Sequence, residues 1–223
     1  RVAVNQTEDD CIVLNYDDKV LREFGEKKDL KPKVIFFSST QTLKEGMYLD
    51  GDTMIYAHDG KKEEVLNVKT DMQLLGKHNY ENVMAAVAMS IRMGVPMDCI
   101  RKAVKEFKAV EHRIEFVLER SGVRYYNDSK GTNPDAAIQA IRAMPGPTVL
   151  IAGGYDKHSE YDEWIEAFGG KVKYLVLIGQ TRDKIAECAR SHGFTDIMYA
   201  EDMPEAVRVC AAYANAGDNV LLS

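Results

Sequence analysis

The feature that most constrains the fold is the alternation of strand and helix patterns in the second half of the chain. Helical patterns of 9 to 14 residues separate most of the short apolar runs there, which is typical of βαβ crossovers and a parallel sheet. We therefore predict a doubly wound α/β domain. The predicted strands lie at about 114–119, 123–127, 147–152, 174–178, 197–200 and 219–222, and the predicted helices at about 133–144, 160–168, 181–192 and 203–216.

Residues 1 to about 70 have a different pattern, in which β-prone runs alternate with turn residues. CIVLN at 11–15 and KVIFFSS at 33–39 are followed by MYLDGDTMIYAHDGKKEEVLNV. In that last segment Asp50-Gly51 and Asp59-Gly60 separate apolar runs, and Asp-Gly pairs in this position are a strong signal for a β-hairpin. We expect this stretch to be mostly sheet.

Helical periodicity begins at Asn79, after which apolar residues recur every four positions, at Val83, Val87 and Ile91. A second helix is predicted from Met97 to Phe107, with one apolar face formed by Ile100, Val104 and Phe107. The segment that follows this helix is interpreted as a domain boundary, which gives two domains, residues 1–110 and 111–223.

Composition excludes several classes of protein. With 45% apolar residues in 223, the chain can bury the cores of two domains. The 29 Lys and Arg against 35 Asp and Glu give a net charge of −6, so the basic footprint of a nucleic-acid-binding protein is missing. No apolar run approaches the roughly 20 residues of a membrane span, and the first ten residues contain no signal-peptide core. We expect a soluble cytoplasmic protein without nucleic-acid or membrane partners.

The cysteines and histidines are interpreted as evidence against a metal enzyme. The four cysteines form no CxxC pair, and we assign none of them a histidine at metal-ligand spacing. His58, His158 and His192 are treated as isolated. The expectation is free thiols in a reducing compartment and no metal site among these residues. The cysteines are Cys11, Cys99, Cys188 and Cys210.

Polar residues follow three strands of the predicted parallel sheet, where ligands bind in open α/β folds. The segment 127–133, NDSKGTN, follows the second strand, Tyr155-Asp156-Lys157 follows LIAGG, and Ser223 follows NVLL. Thr132 or Asn133 could cap the next helix, whose positive end together with Lys130 would attract an anion. Lys157 adds a second cation. The three strand ends therefore predict a crevice for anionic groups.

Each of these residues also has a simpler structural interpretation. Asp128, Thr132 and Asn133 could be cap and turn residues only, and Lys130 could be a solvated lysine. The pair Gly153-Gly154 permits a close backbone approach, but such pairs are common in loops between strands and helices.

Two further polar groups lie elsewhere in the chain. Asn79 and Asn82 are three residues apart in the first turn of a helix, so both amides would project from one face and could pair with the edge of a nucleobase. Asn79 could instead be an N-cap. Arg113 lies where the two predicted domains join and could reach a phosphate or form an interdomain salt bridge.

Five segments together resemble the Mur ligases, which build the peptide of bacterial cell-wall precursors. In order and spacing they are GKHNYENVMAA at 76–86, EHRIE at 111–115, NDSKGTNPDA at 127–136, LIAGGYDK at 150–157 and the terminal VLLS. The resemblance implies the C-terminal part of a central ATPase-type α/β domain, residues 1–110, followed by a Rossmann-like amino-acid-binding domain, residues 111–223, that is incomplete at its C-terminus. The NDSKGTN loop resembles that of the members that add D-glutamate to UDP-N-acetylmuramoyl-L-alanine.

The resemblance also implies a monomeric enzyme that uses ATP and Mg²⁺ to form an amide bond through an acyl phosphate. Carried over to this chain, it implies that Asn79 and Asn82 bind adenine and that Asp128 binds the ribose. It assigns the phosphates to Arg113 and Lys130, as catalytic residues, and the D-glutamate carboxylates to Thr132, Lys157 and Ser223.

The chain also departs from the family pattern. It contains no G-x-x-G-K-[ST] phosphate loop, and most Mg²⁺ ligands are expected in a preceding part of the enzyme, so we expect this segment alone to be inactive. The alternatives are a sister Mur or folylpolyglutamate ligase, or a non-catalytic nucleotide-binding module. A nicotinamide-dependent dehydrogenase is disfavoured because no GxGxxG follows a predicted strand.

Overall fold

The computed structural model describes residues 3–223, so the first two residues of the predicted first domain lie outside it. The chain divides into two compact units, one that ends at Lys108 and one that comprises Ala109–Ser223. This division lies close to the boundary predicted at residue 110. Across the described part of the chain, the helices are all too short or too polar to cross a membrane.

The first unit contains a five-stranded mixed sheet with its strands in sequence order. Strands β1, β2 and β3 are parallel, whereas β4 and β5 pair antiparallel with their neighbours. The strands are β1 (Cys11–Asn15), β2 (Lys33–Ser38), β3 (Gly46–Asp50), β4 (Thr53–His58) and β5 (Lys61–Asn67). The helices are α1 (Lys19–Gly25), α2 (Lys77–Arg92) and α3 (Met97–Glu106).

Both predicted hairpins are confirmed, and each has a two-residue turn. Asp50 pairs with Thr53 across the first turn, where Gly51 has φ +59°. His58 pairs with Lys61 across the second turn, where Asp59 and Gly60 both have positive φ, as a type I′ turn requires. The Asp-Gly signals therefore fix the register of β3, β4 and β5.

Helix α2 packs on this sheet through Met84, Val87 and Ala88, which are at most 1% exposed. Two details of the predicted helices are wrong. Phe107 follows α3 and is 52% exposed, so the apolar face of α3 is formed by Ile100 and Val104 instead. Helix α1, which buries none of its residues, was not predicted, although Asp18 before it is an N-cap residue that accepts the N–H of Leu21.

The second unit contains a six-stranded sheet, and all its predicted strands and helices are confirmed. Helix α5 is clearly shorter than the predicted 160–168, and α7 ends three residues before the predicted end at 216. The strands are β6 (Glu115–Arg120), β7 (Val123–Asn127), β8 (Thr148–Gly154), β9 (Val172–Gly179), β10 (Ile197–Tyr199) and β11 (Asn219–Leu222). The helices are α4 (Pro134–Ala143), α5 (Asp162–Glu166), α6 (Arg182–Ser191) and α7 (Met203–Tyr213).

The strand order β10-β9-β8-β11-β7-β6 produces the predicted doubly wound topology, with only β6 antiparallel. Helix α7 packs through Ala206 and Cys210 on a layer that includes Ile151 and Val176. Because parallel crossovers are right-handed, the connections through α4, α5 and α6 run on the opposite face. Strand β11 lies between β7 and β8, so the carboxyl ends of these three strands are neighbours.

Candidate functional site

Asp128 links three segments at the carboxyl end of the second sheet. It follows β7, is only 5% exposed, and its N–H donates to Leu222 O at 2.7 Å. Its Oδ1 accepts the N–H of Ile114 at 3.0 Å, and its Oδ2 accepts the hydroxyl of Ser223 at 3.1 Å. The carboxylate therefore fixes the segment before β6 and the residue after β11 to the loop after β7.

Gly131 makes this close arrangement possible. A Cβ atom at this position would collide with Asp128 Oδ2 and would lie 3.2 Å from Ser223 Oγ. The N–H of Gly131 donates to Asp128 O at 2.7 Å, which closes the loop tightly over the carboxylate. Any larger residue would force Asp128 or Ser223 to move.

The rest of the NDSKGTN loop leads into α4. Asn133 is the N-cap, and its Oδ1 accepts the N–H of Ala136 at 2.9 Å, while Pro134 occupies the first helical position. Of the two predicted capping residues, Asn133 is thus the one that caps. Lys130 and Thr132 are exposed beside this helix end. The positive end of α4 and the Lys130 ammonium group therefore lie in the same loop.

The loop after β8 meets the loop after β7. Lys157 Nζ donates to the carbonyl oxygen of Thr132 at 3.3 Å, so two residues predicted from separate strand ends are in contact. Gly153 has φ +119°, and a Cβ there would collide with Ile178 O of β9. Gly153 therefore permits the close approach of strand β9, the neighbour of β8 in the sheet.

Arg113 is held near Lys130 by the residues on either side of it. The carbonyl oxygen of His112 accepts the N–H of Lys130 at 3.1 Å, and Ile114 donates to Asp128 as described above. His112 Nδ1 also accepts a hydrogen bond from Asn127 Nδ2 at 2.9 Å. The sequence offered no role for His112, and the structure gives it one in anchoring this segment. The Arg113 side chain itself is exposed.

The second unit therefore brings all six of its predicted site residues to one edge. Ser223 contacts Asp128, Lys157 contacts Thr132, and Lys130 is joined through His112 to the segment that holds Arg113. The cationic side chains are exposed, whereas the Asp128 carboxylate is buried and engaged by protein donors. Such an edge can bind anionic groups such as carboxylates and phosphates.

In the first unit, Asn79 lies in the first turn of α2, but it is not the N-cap. Gly76 occupies the cap position, so the alternative that Asn79 caps the helix is wrong. Asn79 Nδ2 donates to Leu75 O at 2.7 Å, while the side chain of Asn82 is exposed. One donor of Asn79 is therefore used by the protein, and its Oδ1 acceptor can still face a ligand.

Sequence reasoning missed a polar cluster around Asp17, which follows β1. Its carboxylate accepts hydrogen bonds from Ser38 Oγ at 2.6 Å, Ser39 N at 2.8 Å and Thr40 Oγ1 at 2.6 Å. Partial burial would raise the pKa of Asp17, but the hydrogen bonds from Ser38, Thr40 and Ser39 outweigh it and bring the pKa to about 2.

The same cluster reaches helix α2, because Ser39 Oγ also hydrogen-bonds Glu81. A signal for it exists in the sequence. Polar residues occur at the end of β1, as NYDD, and at the end of β2, as SST, which is the pattern from which the site of the second unit was predicted.

A further side-chain cluster corrects the statement about metal-ligand spacing. Cys188 lies on α6 and His192 is the C-cap of that helix, four residues on, so the two are one turn apart. Donor atoms of Asp162, Cys188 and His192 all lie within 4.8 Å of one another. The expectation that no cysteine has a histidine at ligand spacing, and that His192 is isolated, is therefore wrong. The C-x-x-x-H spacing in the sequence was the signal.

Comparison with known proteins assigns both units to one family. Residues 3–90 match the Mur ligase middle domain, and residues 112–223 match the Mur ligase, glutamate ligase domain. The chain therefore belongs to the Mur ligase family, as its motifs predicted.

Relatives and solved structures agree with this assignment. The UDP-N-acetylmuramoylalanine--D-glutamate ligase of Lachnospira eligens is 53% identical over 223 residues, which are 100% of this chain and 49% of that protein. The UDP-N-acetylmuramate-alanine ligase of Thermotoga maritima has a TM-score of 0.65 at 14% identity, covering 95% of this chain and 47% of that one. The MurF ligase of Thermotoga maritima in complex with ADP has a TM-score of 0.60 at 18% identity, covering 95% of this chain and 49% of that one. The chain spans about half the length of the curated relatives it matches.

Proposed function

We propose that the whole protein is an ATP-dependent ligase that adds D-glutamate to UDP-N-acetylmuramoyl-L-alanine during synthesis of peptidoglycan precursors. Relatives that are 51% and 53% identical along this chain carry the name of that activity. The observation that carries the proposal is the meeting of three strand ends through the Lys157–Thr132 and Ser223–Asp128 hydrogen bonds.

The amino-acid substrate is assigned to these strand ends. D-Glutamate carries two carboxylates, and Lys157, Thr132 and Ser223 follow three different strands, so each can approach from its own side. The Lys157 ammonium group provides the charge-assisted bond, and the hydroxyls of Thr132 and Ser223 provide neutral donors.

Residues that bind the nucleotide are assigned in each unit by itself. In the first unit, Asn79 and Asn82 bind adenine through their amides. In the second unit, Arg113 and Lys130 bind the phosphates and act as the catalytic cations, because both are exposed and positively charged. Asp128 is assigned to the ribose, whose hydroxyls must compete with Ser223 and Ile114 for the carboxylate. A solved structure that shares the fold is a complex with ADP.

Mg²⁺ accompanies ATP in this proposal, but the residues at the strand-end edge do not fit a Mg²⁺ site. Magnesium requires oxygen ligands, and both oxygens of the buried Asp128 carboxylate already accept hydrogen bonds from protein donors. The exposed groups beside it are cations. We therefore assign no Mg²⁺ ligand at this edge.

The chemistry follows from these assignments. The terminal carboxylate of UDP-N-acetylmuramoyl-L-alanine attacks the γ-phosphoryl group of ATP, which gives an acyl phosphate and ADP. Arg113 and Lys130 neutralise charge on the transferring phosphoryl group. The amine of D-glutamate, held by its carboxylates, then attacks the acyl carbon and displaces phosphate, and the amine proton is lost as the amide forms.

The proposal places the enzyme in the cytoplasm as a monomer without nucleic-acid or membrane partners. The net charge of −6 supports the absence of a nucleic-acid partner. The four free cysteines among the described residues support a reducing compartment.

Titration of the chain with D-glutamate and L-glutamate, followed by NMR chemical shifts, tests the amino-acid site. We expect D-glutamate to shift signals in the loops around Lys130 and Lys157 more than L-glutamate does. Lys157→Ala should weaken D-glutamate binding at least tenfold, because it removes a charge-assisted hydrogen bond worth about 1.5–3 kcal/mol. Lys102→Ala, which removes an exposed lysine of α3, is the matched control. Equal responses to both enantiomers would contradict the assignment.

The activity itself is tested with a full-length protein of the size of the relatives. Phosphate release should require D-glutamate, and Lys157→Ala should raise the KM for D-glutamate at least tenfold while the KM for ATP changes little. The 223-residue chain alone should release no phosphate in response to D-glutamate, since it contains no G-x-x-G-K-[ST] loop. A Lys157→Ala enzyme with altered KM for ATP only would contradict the proposed role.

A further inference from the structure

Two neighbouring helices of the second unit each present a pair of metal-ligating side chains. Asp162 and Glu166 are four residues apart on α5, and Cys188 and His192 are four residues apart at the end of α6. Residues with this spacing lie on one face of a helix, one turn apart. The two pairs face each other, because His192 approaches both carboxylates.

The distances in this cluster are close to those in a metal site. His192 Nε2 lies 3.6 Å from Asp162 Oδ1 and 3.9 Å from Glu166 Oε1. Donor atoms of Asp162, Cys188 and His192 all lie within 4.8 Å of one another. Ligands of a tetrahedral Zn²⁺ are about 3.3–3.8 Å apart, as follows from bond lengths of about 2.0–2.3 Å. The carboxylates have exposed side chains, 63% for Asp162 and 68% for Glu166, and can move by the small remaining distance.

The imidazole of His192 is oriented as a ligand. Its Nδ1 lies 3.0 Å from the carbonyl oxygen of Cys188, so the tautomer that donates from Nδ1 leaves the Nε2 lone pair directed toward Asp162 and Glu166. Metal-bound histidines usually donate their second ring N–H to a carbonyl or carboxylate in this way. Cys188 Sγ lies 3.9 Å from Nδ1 of the same ring. The thiolate would reach a cation on the Nε2 side only after a change of the Cys188 side-chain rotamer.

We propose that Asp162, Glu166, Cys188 and His192 form a binding site for a borderline-soft divalent cation of the Zn²⁺ class that joins α5 to α6. A thiolate and an imidazole favour Zn²⁺ over Mg²⁺ or Ca²⁺, which prefer oxygen ligands only. Binding replaces the Cys188 S–H bond by an S–metal bond and releases one proton to solvent. The site shares no residue with the proposed ligase site and does not rest on that proposal.

Cobalt(II) is the spectroscopic probe for this site. Titration of the reduced full chain with Co²⁺ should produce a thiolate-to-cobalt charge-transfer band and visible bands of tetrahedral cobalt, with one ion bound per chain and displacement by Zn²⁺. Cys188→Ser should remove the thiolate band, and His192→Gln should weaken Co²⁺ binding at least tenfold. Cys99→Ser, which removes an exposed thiol of α3, is the matched control and should leave both unchanged.

Thermal unfolding followed by the fluorescence of Trp164, the single tryptophan, provides a second readout. Trp164 lies on α5 and is 3% exposed, so it reports on the helix that the cation would hold. Zn²⁺ should raise the midpoint of the unmodified chain but not that of His192→Gln. The proposal is overturned if the cobalt spectrum is unaffected by Cys188→Ser, or if Mg²⁺ competes as well as Zn²⁺. It is also overturned if Asp162→Asn lowers the midpoint while Zn²⁺ leaves it unchanged, because the cluster is then an ion pair only.

Discussion

Among single residues, Asp17 illustrates how neighbouring hydroxyls control a carboxylate. Its pKa is lowered from 3.8 to about 2, so the folded state favours the ionised form more than the unfolded chain does. The resulting stabilisation is present above pH 3.8 and is lost as the pH falls toward 2. Because the side chain is only partly buried, solvent reduces this stabilisation to about 1–2 kcal/mol.

Asp17→Asn should therefore lower the free energy of unfolding of the first unit by about 1–2 kcal/mol at pH 7. The difference from the unmodified chain should shrink as the pH falls below 3.8, since the unmodified carboxylate then becomes protonated too. Urea unfolding followed by far-ultraviolet circular dichroism at several pH values measures it. Asp29→Asn, at an exposed position, is the control. A difference that does not change with pH would show that packing, not ionisation, is responsible.

The sequence predicted which side chains lie at the carboxyl edge of the second sheet where a polar residue closely follows a recognisable strand. Lys130, Lys157 and Ser223 were placed at that edge in this way. The same rule applied to β1 would have found Asp17. Phe107 was misplaced because its apolar character fits helical spacing, whereas the helix ends one residue earlier and leaves the ring exposed. His112 could not be found, since its role depends on backbone contacts with a distant loop.

At the scale of helices and strands, burial decided what the sequence could predict. Strands β7 and β11 were predicted with their observed bounds because both are short runs rich in β-prone residues between turn residues. Helix α1 was missed because it has no buried face, and Val20 is 73% exposed. Helix α5 was predicted over 160–168, but only Asp162–Glu166 is helical. Trp164 and Ile165 of α5 are buried, and so is Phe168 beyond the end of the helix, which explains the longer apolar pattern.

The N-terminus of α4 gives a prediction at this scale, because the sequence left two capping residues open. Asn133→Ala should lower the free energy of unfolding of the second unit by about 1 kcal/mol, since the Ala136 N–H loses its partner. Hydrogen exchange of the Ala136 amide should become faster. Thr132→Ala is the matched control at the adjacent exposed position and should change neither quantity appreciably. An equal loss in both variants would mean that the loop, and not the cap, stabilises the helix start.

On the scale of the whole molecule, each unit has its own hydrophobic core. Met84 belongs to the core of the first unit, and Ile141 of α4 is fully buried in the second. The sequence could predict two domains because the strand pattern changes from hairpins to βαβ alternation along the chain. It could not define the edge where three strand ends meet until the strand order was known, because β11, last in sequence, lies between β7 and β8.

Two separate cores should unfold as two cooperative transitions, and Trp164 can distinguish them because the single tryptophan lies in the second unit. Ile141→Ala removes a side chain that is 0% exposed and should cost about 2–5 kcal/mol, which lowers the fluorescence midpoint by roughly 10 °C or more. Met84→Ala, equally buried, should leave the fluorescence midpoint unchanged while it lowers an independent transition seen by circular dichroism. If Met84→Ala moved the Trp164 transition as far as Ile141→Ala does, the two units would be a single cooperative structure.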